Sequence, residues 1–303
     1  MAAEAIAFIG FGEAGGILGA ELARRGRVVR AYDILFDSPA DRDRMLARCA
    51  QAGVAASPSL GAALDGAALI FSAVTASAAR DVASAAGAAL RAGQTFIDLN
   101  SVSPESKRAN AALVEANGAR YVEAAVMAPV PPQRLAVPML LGGESAATLA
   151  PALNALGMNT RAVAERIGVA SAIKMCRSIV VKGIEALTVE CLFAARRHGA
   201  EDAVLASLTV SFPGMGWELD RPDYWISRVA EHGRRRAAEL REVAATVAAA
   251  GMTPTMASAI AERQDALVDA MVAAGLDYAT LAAEGFSWRE LADALRSREP
   301  ASR

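Results

Sequence analysis

Cysteine, histidine and lysine are all scarce in this chain of 303 residues. The three cysteines, Cys49, Cys176 and Cys191, are too few and too scattered for a disulfide framework. The two histidines, His198 and His232, stand in no cluster with metal-ligand spacing, which argues against a structural zinc or a His-based metal catalyst. Aromatic residues make up 5% of the chain and charged residues 21%, with a formal charge of −2. A balance of 31 basic and 33 acidic residues gives no electrostatic reason to expect nucleic acid as a partner. The N-terminus lacks a basic flank and Glu4 precedes the first apolar run, so no signal peptide is expected. The longest uncharged stretch, 243–261, is broken by Gly251 and Pro254 and holds three Thr and one Ser, which excludes a membrane span. The expectation is a soluble, cytoplasmic protein.

What is abundant is alanine, 73 residues or about a quarter of the chain. Short apolar runs at 5–9, 27–32, 68–73, 95–99, 121–127 and 139–141 read as strands. Between them, segments 15–25, 40–51, 77–91 and 104–117 have helical length and composition. Such alternation predicts an α/β domain with a parallel, doubly wound sheet. After Gly168 the pattern changes to one long helical run, 172–198, and then to helices punctuated by Gly and Pro. The predicted division is therefore an α/β domain over 1–165 and an all-helical domain over 166–303, joined by a long helix.

Gly10-Phe11-Gly12-Glu13-Ala14-Gly15 is a GxGxxG that follows an apolar strand and opens a helix. In that context the first glycine permits a tight turn, the second lets a pyrophosphate approach the backbone, and the third packs helix on strand. The free N–H groups at the helix start then face the phosphates. Asp33, 18 residues after Gly15, closes the second strand. A carboxylate there accepts hydrogen bonds from the adenosine ribose and repels a 2′-phosphate, which favours NAD. Arg42 and Arg44 lie nearby and leave NADP open.

Of the 31 basic residues 28 are Arg; the three lysines are Lys107, Lys174 and Lys182. Arg stays protonated, whereas a desolvated Lys can exchange a proton. A Lys written into Ala-Ser-Ala-Ile-Lys174-Met-Cys is thus a candidate for chemistry, the alternative being an incidental Lys whose stem covers apolar surface. Ser178, four residues on, faces the same way. Lys182, two turns on, reads as structural or oligomer-forming. With no histidine in the first 197 residues, a proton relay in the nucleotide domain must use Lys, a carboxylate or a hydroxyl.

Taken together, these pieces resemble the β-hydroxyacid dehydrogenase superfamily, which includes 3-hydroxyisobutyrate and 6-phosphogluconate dehydrogenases. The glycine loop followed by Leu22 and Gly26 is similar to the family's first helix, and Asp98-Leu99-Asn100-Ser101-Val102-Ser103-Pro104 to its D-x-S-T-x-S-P strand end. Gly142-Gly143-Glu144 resembles its GG-[DE] turn. Gly168-Val169-Ala170-Ser171-Ala172-Ile173-Lys174 resembles the GxGxxxK that carries its catalytic lysine. The resemblance implies a Rossmann domain plus a helical domain, hydride exchange between a nicotinamide and a hydroxyl-bearing carbon, and Lys174 as general acid/base. It implies that Ser101 sits near the nicotinamide and bonds the substrate. Val74, Thr75 and Asn100 are further cofactor-binding candidates. It also implies a homodimer or larger assembly through the helical domain.

Three departures qualify the match. The family's D-x-P-V-S-G-G substrate loop aligns with Glu123-Ala124-Ala125-Val126-Met127-Ala128-Pro129. A thioether replaces a hydroxyl and Pro129 has no N–H, so the substrate at Met127, Ala128 and Pro129 is expected to depend less on a carboxylate. The family's two Asn after the Lys are Arg177 and Ser178. Its late K-D-L segment has no clear counterpart, the nearest stretch being 232–240. Within it, His232 and Arg236 either bind substrate or belong to a solvated helix face. Trp217, Tyr224 and Trp225 either stack on a bulky substrate or pack between helices. Arg134, in a Pro-Pro-Gln-Arg loop, is a candidate to meet an anion. The leading expectation is an NAD(P)-dependent dehydrogenase/reductase acting on an alcohol/carbonyl pair; the alternatives are an imine/enamine reductase and a non-catalytic dinucleotide-binding protein.

Overall fold

The computed structural model describes residues 5–298. They form two compact units, the first ending at Lys174 and the second beginning at Met175. The first unit is built on β1 (Ala5–Ile9), α1 (Glu13–Arg24), β2 (Val29–Tyr32), α2 (Arg42–Gln51), β3 (Ala55–Ala56), α3 (Leu60–Leu64), β4 (Ala67–Ser72), α4 (Ala79–Ala89), β5 (Thr95–Asp98), α5 (Pro104–Glu115), β6 (Arg120–Val126), α6 (Val130–Gln133), β7 (Pro138–Gly142), α7 (Ala146–Ala155) and β8 (Asn159–Ala164). α8 (Val169–Arg197) starts in this unit and carries the chain into the second, which adds α9 (Glu201–Ser211), α10 (Arg221–Ala249), α11 (Thr255–Ala273), α12 (Tyr278–Leu281) and α13 (Trp288–Ser297).

The eight strands form one sheet in the order β3-β2-β1-β4-β5-β6-β7-β8. This is the doubly wound Rossmann arrangement. Every residue of β1 is buried, because helices cover both faces of the sheet and a strand so placed must be apolar throughout. Alternate residues feed two apolar layers. Phe8 stacks on Phe71 at 5.0 Å between ring centroids on one face, and Phe96 on Tyr121 at 5.9 Å on the other. The sheet departs from the expected all-parallel pattern at one place: β7 runs antiparallel to β6, and β8 is parallel to β7.

Both β8 and α7 escape the sequence pattern. β8 is Asn-Thr-Arg-Ala-Val-Ala, without an apolar run, and α7 contains Pro151. The helix starting at Pro104 forms as expected: Ser103 caps it by accepting the Ser106 N–H at 3.2 Å, and Pro104 sits where no N–H is needed. The expected 172–198 helix begins three residues earlier, at Val169. In the second unit α10 and α11 lie along each other, and two apolar clusters fill the bundle, one around Leu192, Ile226 and Leu291, the other around Met175, Leu240 and Ile260. All three cysteines are free, with Cys49 buried and Cys176 and Cys191 exposed. Among the described residues no helix is long and apolar enough to cross a membrane.

Candidate active site

The glycine loop connects β1 to α1. Gly10 has φ +85°, and a Cβ on it would lie 2.5 Å from the Ala73 carbonyl oxygen, so only glycine fits. A Cβ on Gly15 would collide with the Gly10 carbonyl. Gly12 is exposed, has open space beyond its Cα, and caps α1 with no side chain. The helix terminus is thus left accessible to an anion. Phe11 turns inward and is fully buried, while Glu13 is exposed and Ala14 half-buried.

Asp33 directly follows β2 and is buried. Its carboxylate accepts the Phe11 N–H at 2.7 Å and the Leu35 N–H at 3.0 Å. It therefore braces the glycine loop itself, using two of the roughly four lone-pair sites of a carboxylate. Arg44, singled out by its position, is engaged with Asp41 at 2.5 Å. The cation that reaches the loop is Arg48, unnoticed in the sequence, which donates to the Gly12 carbonyl at 2.8 Å.

The ends of β4 and β5 are tied together. Asn100 Oδ1 accepts the Val74 N–H at 2.7 Å and Asn100 Nδ2 donates to Ser72 Oγ at 3.0 Å. Thr75, exposed beside Val74, pairs with Ser77 at 3.1 Å. Beneath this turn lies a buried network that sequence reasoning missed. Asp98, fully buried, holds Lys107 Nζ at 2.9 Å, accepts the Tyr121 hydroxyl at 2.6 Å, and accepts the Asn100 N–H at 2.9 Å. Burial, and then the Asp98 charge, push the Tyr121 phenol well above its ordinary range, so it remains a donor. The available signal was the rarity of lysine: Lys107 is one of three, and it is buried.

The turn presents Ser101, half-buried. Lys174 Nζ donates to Ser101 Oγ at 2.5 Å, across 73 residues of sequence. Ser178 follows one turn later on α8, half-buried, and Arg177 is exposed. Met127, half-buried, packs against the cluster of Ala125, Leu140 and Ala170. Ala128 is half-buried and Pro129 exposed. The expected Pro-Pro-Gln-Arg loop is helix α6 followed by a single tight turn, and Arg134, with φ +52°, is paired with Glu21 of α1. That ion pair holds the Glu21 carboxyl below its usual range and engages the cation proposed for an anion.

In the second unit the candidates are rearranged. Arg236 belongs neither to a solvated face nor to an open anion site: it is buried and forms a bidentate pair with Glu185, Nε to Oε2 at 2.9 Å, which Gln264 joins. A guanidinium in a bundle interior requires such a partner. His232 is half-buried, 3.2 Å from Glu231, and burial holds its imidazole below the usual value. Lys182 is buried, with Nζ donating to Glu239 at 2.6 Å, and burial pushes its amine down. Trp217 and Trp225 pack edge to face at 4.8 Å, whereas Tyr224 is half exposed beneath Arg221.

Residues 5–167 match the family of the NAD-binding domain of 6-phosphogluconate dehydrogenase. The chain belongs to that family. Residues 195–267 match a domain of unknown function, DUF1932. A hypothetical protein from Sinorhizobium meliloti 1021 is 38% identical, with a TM-score of 0.77 over 98% of this chain and 97% of that one. The protein MTH1747, of unknown function and described as similar to 3-hydroxyacid dehydrogenases, is 31% identical, with a TM-score of 0.70 over 88% of this chain and 98% of its own. The 3-hydroxyisobutyrate dehydrogenase of Mycobacterium tuberculosis, solved with L-serine, shares the fold at 22% identity and a TM-score of 0.72, over 97% and 99% of the two chains. With its domain over 5–167, the chain has the fold of the NAD(P)-linked oxidoreductases. The open approach to Gly12, the start of α1 without a side-chain cap and the Asp33 carboxylate just past β2 fit the dinucleotide that this family binds.

Proposed function

We propose that the chain is an oxidoreductase that uses NAD to interconvert an alcohol and a carbonyl compound, with Lys174 as general acid/base. The observation that carries this reading is the contact of Lys174 Nζ with Ser101 Oγ at 2.5 Å. It lies beyond the carboxyl end of β5, in the same sheet whose β1 feeds the glycine loop, and ligands of open α/β sheets bind at such strand ends. Gly10 to Gly15 would hold the pyrophosphate, Asp33 the ribose, and Val74, Thr75 and Asn100 would border the nicotinamide end. When bound, the nicotinamide accepts or supplies the hydride. Lys174 then takes the hydroxyl proton in oxidation or returns it in reduction, while Ser101 orients both the amine and the substrate oxygen.

The neighbourhood of Met127 supports a substrate that relies little on a carboxylate. Met127 packs among Ala125, Leu140 and Ala170, and Pro129 offers no N–H. Cofactor consumption over a panel of hydroxy acids, aryl ketones and cyclic imines tests the reading, and turnover of imines alone would replace it with an imine reductase. Absence of turnover with tight NADH binding would leave a binding protein. Asp33 supports NAD over NADP, and Asp33→Asn is expected to raise NADP affinity relative to NAD in a fluorescence titration. Because Asp33 also braces Phe11, the same variant is expected to lose about 1–3 kcal/mol of stability. A native preference for NADP would overturn the cofactor assignment.

The reading includes a homodimer or larger assembly through the helical unit. Val180 and Leu187 on α8 and Val210 on α9 stand 64%, 61% and 82% exposed, an unusual display of large apolar side chains. Light scattering at micromolar protein is expected to give at least a dimer mass, and a strictly monomeric mass overturns this.

A further inference from the structure

We propose that Glu123 is the positioning residue for Lys174, an inference that rests on the proton-transfer role given to that lysine. Glu123 stands in β6 and is fully buried, in a strand whose other central residues are apolar. A carboxylate so placed needs strong partners, and it finds them at one place. Its Oε1 accepts the Gly168 N–H at 2.7 Å and the Ala170 N–H at 3.0 Å, and its Oε2 accepts the Ser171 N–H at 3.2 Å. These amides belong to the entry and first turn of α8, where a helix has no backbone acceptor for them. Bonds from N–H groups to an ionised acceptor are among the stronger ones, and the charge matches the positive end of the helix.

Room for the carboxylate is made by a missing side chain. A Cβ on Gly142, the β7 residue in register with Glu123, would collide with Oε1. Lys174 follows Ser171 by three residues, about 4.5 Å of rise and less than one turn. The height and rotation of Lys174 are therefore set from β6. Its partner Ser101 is set from the adjoining strand, because Asp98, which holds the Asn100 N–H, is the β5 residue in register with Glu123. Two neighbouring buried carboxylates thus fix the two ends of one contact.

The chain's three lysines make the test direct. Protein labelled with [13C]lysine gives three side-chain Cε signals, and Lys174→Arg identifies the one from Lys174. In Glu123→Gln the Lys174 signal is expected to move toward that of a solvated lysine, with Lys107 and Lys182 unmoved and NADH affinity within about threefold, since misplacement of the order of 1 Å disturbs chemistry more than remote binding. Glu123→Asp, which keeps the charge, is expected to recover the signal in part. An unmoved Lys174 signal beside a lowered melting temperature would overturn the proposal and leave Glu123 merely structural. If Glu123→Gln does not fold, Glu123→Asp decides: a displaced Lys174 signal supports the proposal and an unchanged one overturns it. The readout needs no substrate, so it is separable from the proton-transfer reading, which falls if Lys174→Ala keeps full turnover.

Discussion

Replacing Lys174 by alanine is expected to lower turnover by roughly 10²–10⁴, the usual cost of losing a positioned acid/base. NADH affinity and melting temperature should barely change, because Lys174 is half-buried and lies outside the glycine loop that would hold the pyrophosphate. Lys174→Arg is expected not to rescue. A guanidinium keeps its proton near neutral pH, and its planar fork does not reproduce the short contact of the amine to Ser101 Oγ. Ser178→Ala should cost about 1 kcal/mol, one neutral hydrogen bond. Replacing Lys182 should cost stability instead of chemistry, since its amine is committed to Glu239. Single-turnover rates, measured beside cofactor affinity, separate these cases. Full activity in the Arg variant would mean that only a positive charge is needed and would remove the acid/base role.

A second large effect is expected from Lys107→Met. The side chains of Lys107 and Asp98 are each 1% exposed and 2.9 Å apart. Methionine conserves the volume of the stem, so the loss is electrostatic. Removing one member of a buried pair strands the other and costs about 3–5 kcal/mol. Lys107 also donates to the Asp98 carbonyl at 2.9 Å, so the end of β5 loses its anchor on two atoms. Urea unfolding should give a lower midpoint with an unchanged slope. At ~2–4 °C per kcal/mol for a unit of this size, the melting temperature falls by roughly 6–20 °C. A change under ~2 °C would mean that Tyr121 and Asn110 satisfy Asp98 unaided.

The residues that stand out in the sequence are those that local spacing or residue type marks. The glycine loop declares itself by spacing, and the structure places Gly10 at the one positive φ that spacing needs. Lys174 stands out because the chain writes 28 of its 31 cations as Arg. Arg236 misled because a run of three arginines reads as solvated, and only the fold brings Glu185, 51 residues away, against it. Asp98 and Glu123 were quoted within motifs, yet nothing local says that one accepts from Lys107 and Tyr121 and the other from the amides of α8. Their partners come from pairing across strands, which a linear reading of residue types does not supply. β8 and α7 were lost for a simpler reason, a polar strand and a proline within a helix.

The reversal of direction at β7 has a topological consequence, one of parity. Because β7 runs antiparallel to β6, Gly142 at its end is level with Glu123, and Ala164 at the end of β8 is level with Gly142. The chain therefore leaves the sheet from β8 at the level of the middle of β6, in line with Asp98, instead of at the level of Val126. From that exit a short loop brings in α8, which begins at Val169 with about 1.4 turns to run before Lys174. An even count of reversals, none or two, would discharge β8 at the opposite edge, and a helix of the same sequence would begin past Ser101. One antiparallel pairing thus sets the register between a lysine and a serine that lie 73 residues apart.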